Sequence, residues 1–159
     1  MTPIAREAVE LLQARGLTVA TCESLTGGMI CAALVDVPGA SRVVRGGLIT
    51  YQTDTKTLLA GVDAALIAAK GVVSAEVAQA MAEGVRRKMN ADIAVSATGM
   101  ASPGEAGDPP AGTVYVGLAS AKGVRAIALN LTGTRTEIRQ KTVEQAIRAI
   151  ITEAKETQA

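Results

Sequence analysis

Near the start of the chain, Ile4, Ala5, Ala8, Val9, Leu11 and Leu12 recur at a spacing that gathers them on one face of a helix, and Gly16 ends that helix. "LTVATC" then alternates and is β-branched enough for a buried strand. It hands over, through Glu23-Ser24-Leu25-Thr26-Gly27-Gly28, to a short helix expected over about residues 26–35, which "DVPGAS" breaks. "VVRGGLITYQT", residues 43–53, predicts a second strand, with Gly46 and Gly47 signalling a bulge or a close backbone approach. Asp54 is expected to cap the short helix "TKTLLAG", and a further small helix covers residues 64–69. Ser74 caps the long amphipathic run "AEVAQAMAEGVRRKM". "ADIAVSATG" gives a third strand with a polar end, and "TVYVGLAS" and "VRAIALNLTG" flank "AKG" as a hairpin. The last helix opens with Thr134 and Glu137 at capping-box spacing.

This order of elements predicts one α/β domain over residues 1–159. The expected architecture is a three-layer α/β/α sandwich around a mixed, mostly parallel sheet of about five strands. Residues 100–112, "MASPGEAGDPPAG", form the one long stretch without periodicity, and their Pro and Gly content makes them a loop. Loops of this length in compact domains are often functional.

Composition narrows the function. A formal net charge of +1 without basic stripes, and only two aromatic residues, Tyr51 and Tyr115, argue against nucleic-acid binding. Arg86, Arg87 and Lys88 are read as a solvated helix C-terminus. Two cysteines, Cys22 and Cys31, fit reduced thiols in a cytoplasmic protein. The amphipathic N-terminal segment is unlike a signal peptide, and no run of ~20 apolar residues occurs, so no membrane partner is expected. The thin supply of large apolar side chains points to self-association as a homo-oligomer.

With no histidine anywhere, Ser-His-Asp and Cys-His catalysis and the common zinc sets are removed together. The base of any enzyme here is Lys, Asp, Glu or Tyr. Walker-type and dinucleotide-binding glycine loops are also absent, so no cofactor and no metal are expected. Three polar clusters remain at strand ends: Glu23 to Gly28, Thr50-Tyr51 with Lys56, and Ser96 to Gly99. Ligands collect at such ends in open α/β sheets.

Ser24 has two readings. It is a helix N-cap, or a nucleophile whose oxyanion is received by backbone N–H groups near Thr26, Gly27 and Gly28. Lys56 is the leading base on chemical grounds, because desolvation lowers a lysine pKa from ~10.4, although a solvent-facing lysine also fits. Tyr51 either relays a proton or holds the lysine, or is a half-buried strand residue. Arg135, behind Gly133-Thr134 at a helix start, offers a phosphate seat, whereas Arg139 is read as ordinary exposed helix charge and Arg125 as an edge-strand charge.

"ESLTGG", "GGLITYQTDTK", "VVSAEVAQAMA", "ATGMASPG" and "GTVYVGLA" resemble, in order and spacing, the motifs of the CinA C-terminal domain family, across essentially the whole chain. The family includes nicotinamide-nucleotide amidohydrolases. The resemblance implies hydrolysis of the carboxamide of nicotinamide mononucleotide, a pyridine nucleotide, to nicotinate mononucleotide and ammonia. The family's serine, tyrosine and lysine fall on Ser24, Tyr51 and Lys56, a Ser-Lys type site. Glu23, Thr98, Gly99, Gly133, Thr134 and Arg135 are assigned to the substrate. The ring or ribose lies by Thr98 and Gly99, and the phosphate by Gly133 to Arg135. Members usually read Ala-Gly-Pro at Ala101-Ser102-Pro103, Lys-Pro-Val-Gly at Pro109-Pro110-Ala111-Gly112 and Gly-Asp-Arg at Gly133-Thr134-Arg135. Many carry an additional N-terminal domain resembling molybdopterin-binding proteins, so this chain is expected to be a stand-alone amidohydrolase. The rivals are a non-catalytic, competence- or damage-associated nucleotide-binding module, with Ser24 as a phosphate donor, and a purely structural interaction domain.

Overall fold

The computed structural model describes residues 1–157. In chain order the elements are α1 (Pro3–Arg15), β1 (Val19–Glu23), α2 (Met29–Val35), β2 (Val44–Ile49), α3 (Thr53–Ala60), α4 (Ala64–Lys70) and α5 (Ala75–Met89). They are followed by β3 (Ile93–Gly99), β4 (Thr113–Ser120), β5 (Gly123–Asn130) and α6 (Arg135–Glu156). The strands form one sheet in the order β2-β1-β3-β4-β5. Its four pairings divide evenly: β1 runs parallel to both β2 and β3, while β3-β4 and β4-β5 are antiparallel.

Alternation along the strands divides the core in two. Val19, Ile93, Val95 and Ala97 face α1, α2 and α6, joined there by Leu12, Ile30 and Ile147. On the other face Ala20, Cys22 and Ala94 meet Val77, Met81 and Val85 of α5 and Ala60 of α3. A period of two along each strand sends neighbours to opposite sides, and helices cover both, which is the three-layer α/β/α arrangement.

The helix ends carry the expected signals. Gly16 takes a left-handed conformation at the end of α1, the Ser74 hydroxyl accepts from Val77 N–H at the start of α5, and Thr134 and Glu137 close a capping box on α6. Three expectations need correction. α2 starts at Met29 rather than near Thr26, because Gly27 and Gly28 take left-handed conformations in a turn ahead of it. β2 stops at Ile49, and its irregular register skips Arg45, just before the glycine pair, whereas the close approach expected there is present at Gly47, where a Cβ would lie 2.4 Å from Thr21 Oγ1. α3 begins at Thr53 behind Gln52 without a side-chain cap, and Asp54 lies inside its first turn. No helix among the described residues is long and apolar enough to cross a membrane.

Parallel strands β2, β1 and β3 deliver their C-terminal ends to one edge of the sheet. The turns after Glu23, Ile49 and Gly99 therefore meet there, together with the 100–112 loop and the start of α6.

Candidate active site

A cavity of about 340 Å³ opens at this edge, bordered by Ser24, Leu25, Tyr51, Lys56, Thr98, Gly99, Ser102 and Arg135, with Val72, Val73 and Met100 as apolar wall. Ser24 leaves the end of β1 with its N–H donated to Ala97 O at 2.9 Å, so the sheet itself fixes where the hydroxyl emerges. Glu23, the residue before it, is fully buried and turns the other way. Its carboxylate accepts from Gly28 N–H at 3.0 Å, Ile30 N–H at 3.0 Å and Cys31 N–H at 2.8 Å, and from the Thr21 hydroxyl at 3.1 Å. A carboxylate is a strong acceptor for the free donors of a helix start.

That arrangement corrects two assignments. Glu23 is not available to a ligand, since its oxygens are committed to the start of α2. Gly28 N–H is held by Glu23, and Gly27 N–H donates to Ser24 O at 3.0 Å, so neither faces the cavity as a free donor. The amides of Leu25 and Thr26 are the ones in this turn without a hydrogen-bond partner among the described residues, and of the two residues Leu25 lines the cavity while Thr26 is fully buried. Ser24 is therefore not the capping residue of α2; Glu23 supplies that capping function from its side chain.

Lys56 reaches the serine. It lies on the first turns of α3 with only 1% of its surface exposed, and its Nζ donates to Ser24 Oγ at 3.0 Å, to Thr50 O at 2.6 Å and, at 3.5 Å, to Tyr51 O. None of these partners is a carboxylate. Burial pulls its pKa below the ordinary lysine value, opposed only in part by the neighbouring Cys22 thiol. Burial likewise pushes that thiol up to about 11, against a hydrogen-bonding contact with Thr50 and the charge of Lys56, so Cys22 is an inert neighbour. Ser24 itself is 9% exposed, open only toward the cavity.

Tyr51 occupies the rim. It lies past the end of β2 and is 57% exposed, so it is not a half-buried strand residue, and its hydroxyl accepts from Arg135 Nη2 at 3.1 Å, while only its backbone oxygen meets Lys56. The phenol is thus turned toward Arg135. Arg135 Nη1 also donates to Ser102 Oγ at 3.1 Å, so three separate segments meet at the mouth of the cavity. Thr98 and Gly99 line its floor, with the Thr98 hydroxyl donating to Val72 O at 2.8 Å. Gly133 and Thr134 lie outside the lining and build the start of α6: Glu137 Oε2 accepts from Thr134 N–H at 2.7 Å.

The residue that sequence reasoning misplaced is Arg139. It is partly buried, donating from Nε to Leu25 O at 2.8 Å and from Nη2 to Thr26 O at 3.4 Å, directly on the turn that follows Ser24. Its spacing of one helical turn from Arg135 was the available signal, since residues at i and i+4 share a helix face. Arg125 pairs with Glu153 of α6 and lies away from the cavity.

Chemically, a buried amine with a lowered pKa can activate the hydroxyl it is hydrogen-bonded to, and the free N–H of Leu25 beside it can receive an oxyanion.

The model of the CinA C-terminal domain matches residues 1–154. A CinA-like protein of Gemmatimonas aurantiaca is 46% identical over 134 residues, 84% of this chain and 31% of its own length. One from Frankia casuarinae is 43% identical over 137 residues, 86% of this chain and 32% of its own. The chain thus spans about a third of the length of these curated relatives. Among solved structures, the competence/damage inducible protein CihA of Agrobacterium tumefaciens superposes with a TM-score of 0.89 at 36% identity, covering 94% of this chain and 92% of that one. The competence damage-inducible protein A of Klebsiella pneumoniae superposes at 0.93 and 28% identity, covering 98% and 97%. With its motifs, its fold and these relatives in agreement, the chain belongs to the CinA C-terminal domain family.

Proposed function

We propose that this protein is an amidohydrolase that converts the carboxamide of nicotinamide mononucleotide to the carboxylate of nicotinate mononucleotide, releasing ammonia. The observation that carries the reading is the Lys56–Ser24 contact at 3.0 Å, made by an amine that is buried without a carboxylate partner. Such an amine is costly to keep charged, and its loss of a proton creates the base that a histidine-free hydrolase needs.

Ser24 Oγ attacks the carboxamide carbon as its proton passes to Lys56 Nζ. The N–H of Leu25, a residue that lines the cavity, receives the oxyanion. Collapse breaks the C–N bond, and the proton on Lys56 goes to the departing nitrogen, which leaves as ammonia. Water then adds to the Ser24 ester with Lys56 again taking a proton, and the acid departs as Ser24 regains its own. The apolar wall of Val72, Val73 and Met100 suits a pyridine ring, and Arg135 suits the phosphate, with Tyr51 and Ser102 holding the guanidinium. Tyr51 in this reading orients Arg135 rather than relaying a proton.

The test compares product formation with affinity. Wild-type protein is expected to convert nicotinamide mononucleotide to nicotinate mononucleotide, and Ser24→Ala to bind the nucleotide by calorimetry with near wild-type affinity while forming no product. Weakened binding in Ser24→Ala, beside a wild type that forms no product, would identify a binding module instead.

A further inference from the structure

Thr98 stands beside the nucleophile, yet the chemistry just described leaves its hydroxyl unused. Strands β1 and β3 run parallel with Glu23 opposite Ala97, and the ladder continues through Ser24 N–H to Ala97 O at 2.9 Å. The next pair in that register is Ser24 and Thr98, so the two residues lie on neighbouring strands about 5 Å apart. Their side chains share a face. Glu23 and Ala97 point to α2 and α6, and alternation sends the residue after each to the opposite side, where Lys56 meets Ser24 Oγ and Val72 O meets the Thr98 hydroxyl. Both residues line the cavity, and Thr98 is otherwise closed off, at 1% exposed.

The direction of its hydrogen bond decides what Thr98 can recognise. A carbonyl cannot donate, so at 2.8 Å the Thr98 hydroxyl gives its only proton to Val72 O. What remains on Oγ1 is its lone pairs. Toward a ligand beside Ser24 the group is therefore an acceptor and nothing else. Neighbouring acceptors are already occupied: the oxygens of Thr50 and Tyr51 by Lys56 Nζ, and Ala97 O by Ser24 N–H. Leu25 N–H, by contrast, is a donor and suits the carbonyl oxygen of a substrate.

We propose that Thr98 is a specificity-determining residue whose Oγ1 accepts an N–H of the scissile carboxamide, so that the site takes amides in preference to esters. The proposal rests on the reading of Ser24 as the nucleophile of an amidohydrolase. An amide nitrogen carries protons for Thr98, whereas the alkoxy oxygen of an ester carries none and sets lone pair against lone pair. The same contact serves the chemistry. As Ser24 Oγ bonds to the carbon, the nitrogen becomes tetrahedral. An N–H held on Thr98 leaves the new lone pair of that nitrogen free to take the proton from Lys56 before the C–N bond breaks and ammonia departs.

The test compares two substrates that share one acyl group, nicotinamide mononucleotide and the methyl ester of nicotinate mononucleotide, through the ratio of their kcat/KM values. Thr98→Val keeps the shape and the methyl group but loses the acceptor, and is expected to lower the amide-to-ester ratio about 10- to 100-fold. Thr98→Ser, which retains the hydroxyl, should keep the ratio near that of wild type. Thr98→Ala is expected to behave as the valine variant does, and decides the matter if that variant does not fold. A wild-type ratio in the folded valine or alanine variant would overturn the proposal even where both rates fall together, since a merely structural role slows both substrates alike. Loss of all turnover on both substrates would overturn it too, because ester hydrolysis does not need the acceptor. A wild type that hydrolyses neither compound would overturn the nucleophile itself, a separate and distinguishable failure.

Discussion

The hydrogen bonds around Lys56 change direction with its charge. As an ammonium it donates to Ser24 Oγ and to the carbonyls of Thr50 and Tyr51. As a neutral amine its two N–H groups suffice for the carbonyls, and its lone pair is left to accept from the Ser24 hydroxyl, which is the arrangement an attack requires. Because burial lowers the folded-state pKa, the unfolded chain binds more protons between that lowered value and the ordinary ~10.4. Wild-type stability should therefore rise with pH across this window. Lys56→Met is expected to be more stable than wild type at neutral pH, with an advantage that shrinks as pH climbs toward ~10.4. Urea melts at several pH values check this, and a difference that stays constant with pH would contradict it. Lys56→Arg keeps the charge and cannot deprotonate, so ammonia release should fall at least about 100-fold. At this scale the sequence was informative about residue types. The absence of histidine restricted the base, but only the fold brings Lys56 to Ser24 across 32 positions of chain. Arg139 was misread because its partners are main-chain oxygens 113 and 114 residues away; its spacing from Arg135 marks a shared helix face but does not say what that face meets.

Elements hold these residues in place through close approach and anchoring. A Cβ on Gly84 of α5 would lie 1.9 Å from Ala60 O at the end of α3, and one on Gly117 of β4 would lie 2.1 Å from Ala78 O. Both contacts are with backbone, which cannot move aside as a flexible side chain would. Gly84→Ala should cost about 1–3 kcal/mol of stability, the usual scale for overpacking, and lower turnover by displacing the helix that carries Lys56. An unchanged urea midpoint would contradict this packing account. α6 is pinned at both ends, by its capping box and by Glu153, which pairs with Arg125 and accepts from Ser120. A rigid rod of about 33 Å can thereby present Arg135 and Arg139 to the site. Periodicity made most of these elements legible, α5 and α6 above all, because a full apolar stripe and a side-chain cap coincide there. It failed at the start of α2, where a Gly-rich turn looks like the beginning of a helix but the donors are satisfied by Glu23 from the preceding strand.

Across the whole molecule, parallel β2, β1 and β3 explain why three polar clusters distant in sequence meet at one edge. That convergence was legible once the strands were assigned, whereas the rim clasp of Arg135 with Tyr51 and Ser102 depends on loop conformation. Edge strand β2 ends in Ile49, 55% exposed, and Leu58 of α3 is 74% exposed. Exposed apolar side chains and an unpaired strand edge both favour contact with a second copy, so sedimentation velocity is expected to give a mass above that of one chain; a monomer at all concentrations would contradict it. At the sheet edge that carries the cavity, the proposed chemistry is the Ser24–Lys56 pair acting on a carboxamide. Its most direct measurement is ammonia release from nicotinamide mononucleotide by wild type and Ser24→Ala between about pH 6 and about pH 10. The wild-type rate is expected to rise as Lys56 loses its proton, with its midpoint below that of an ordinary lysine, and Ser24→Ala is expected to release none. Equal release from the two proteins, or a wild-type rate that is flat across this range, would contradict it.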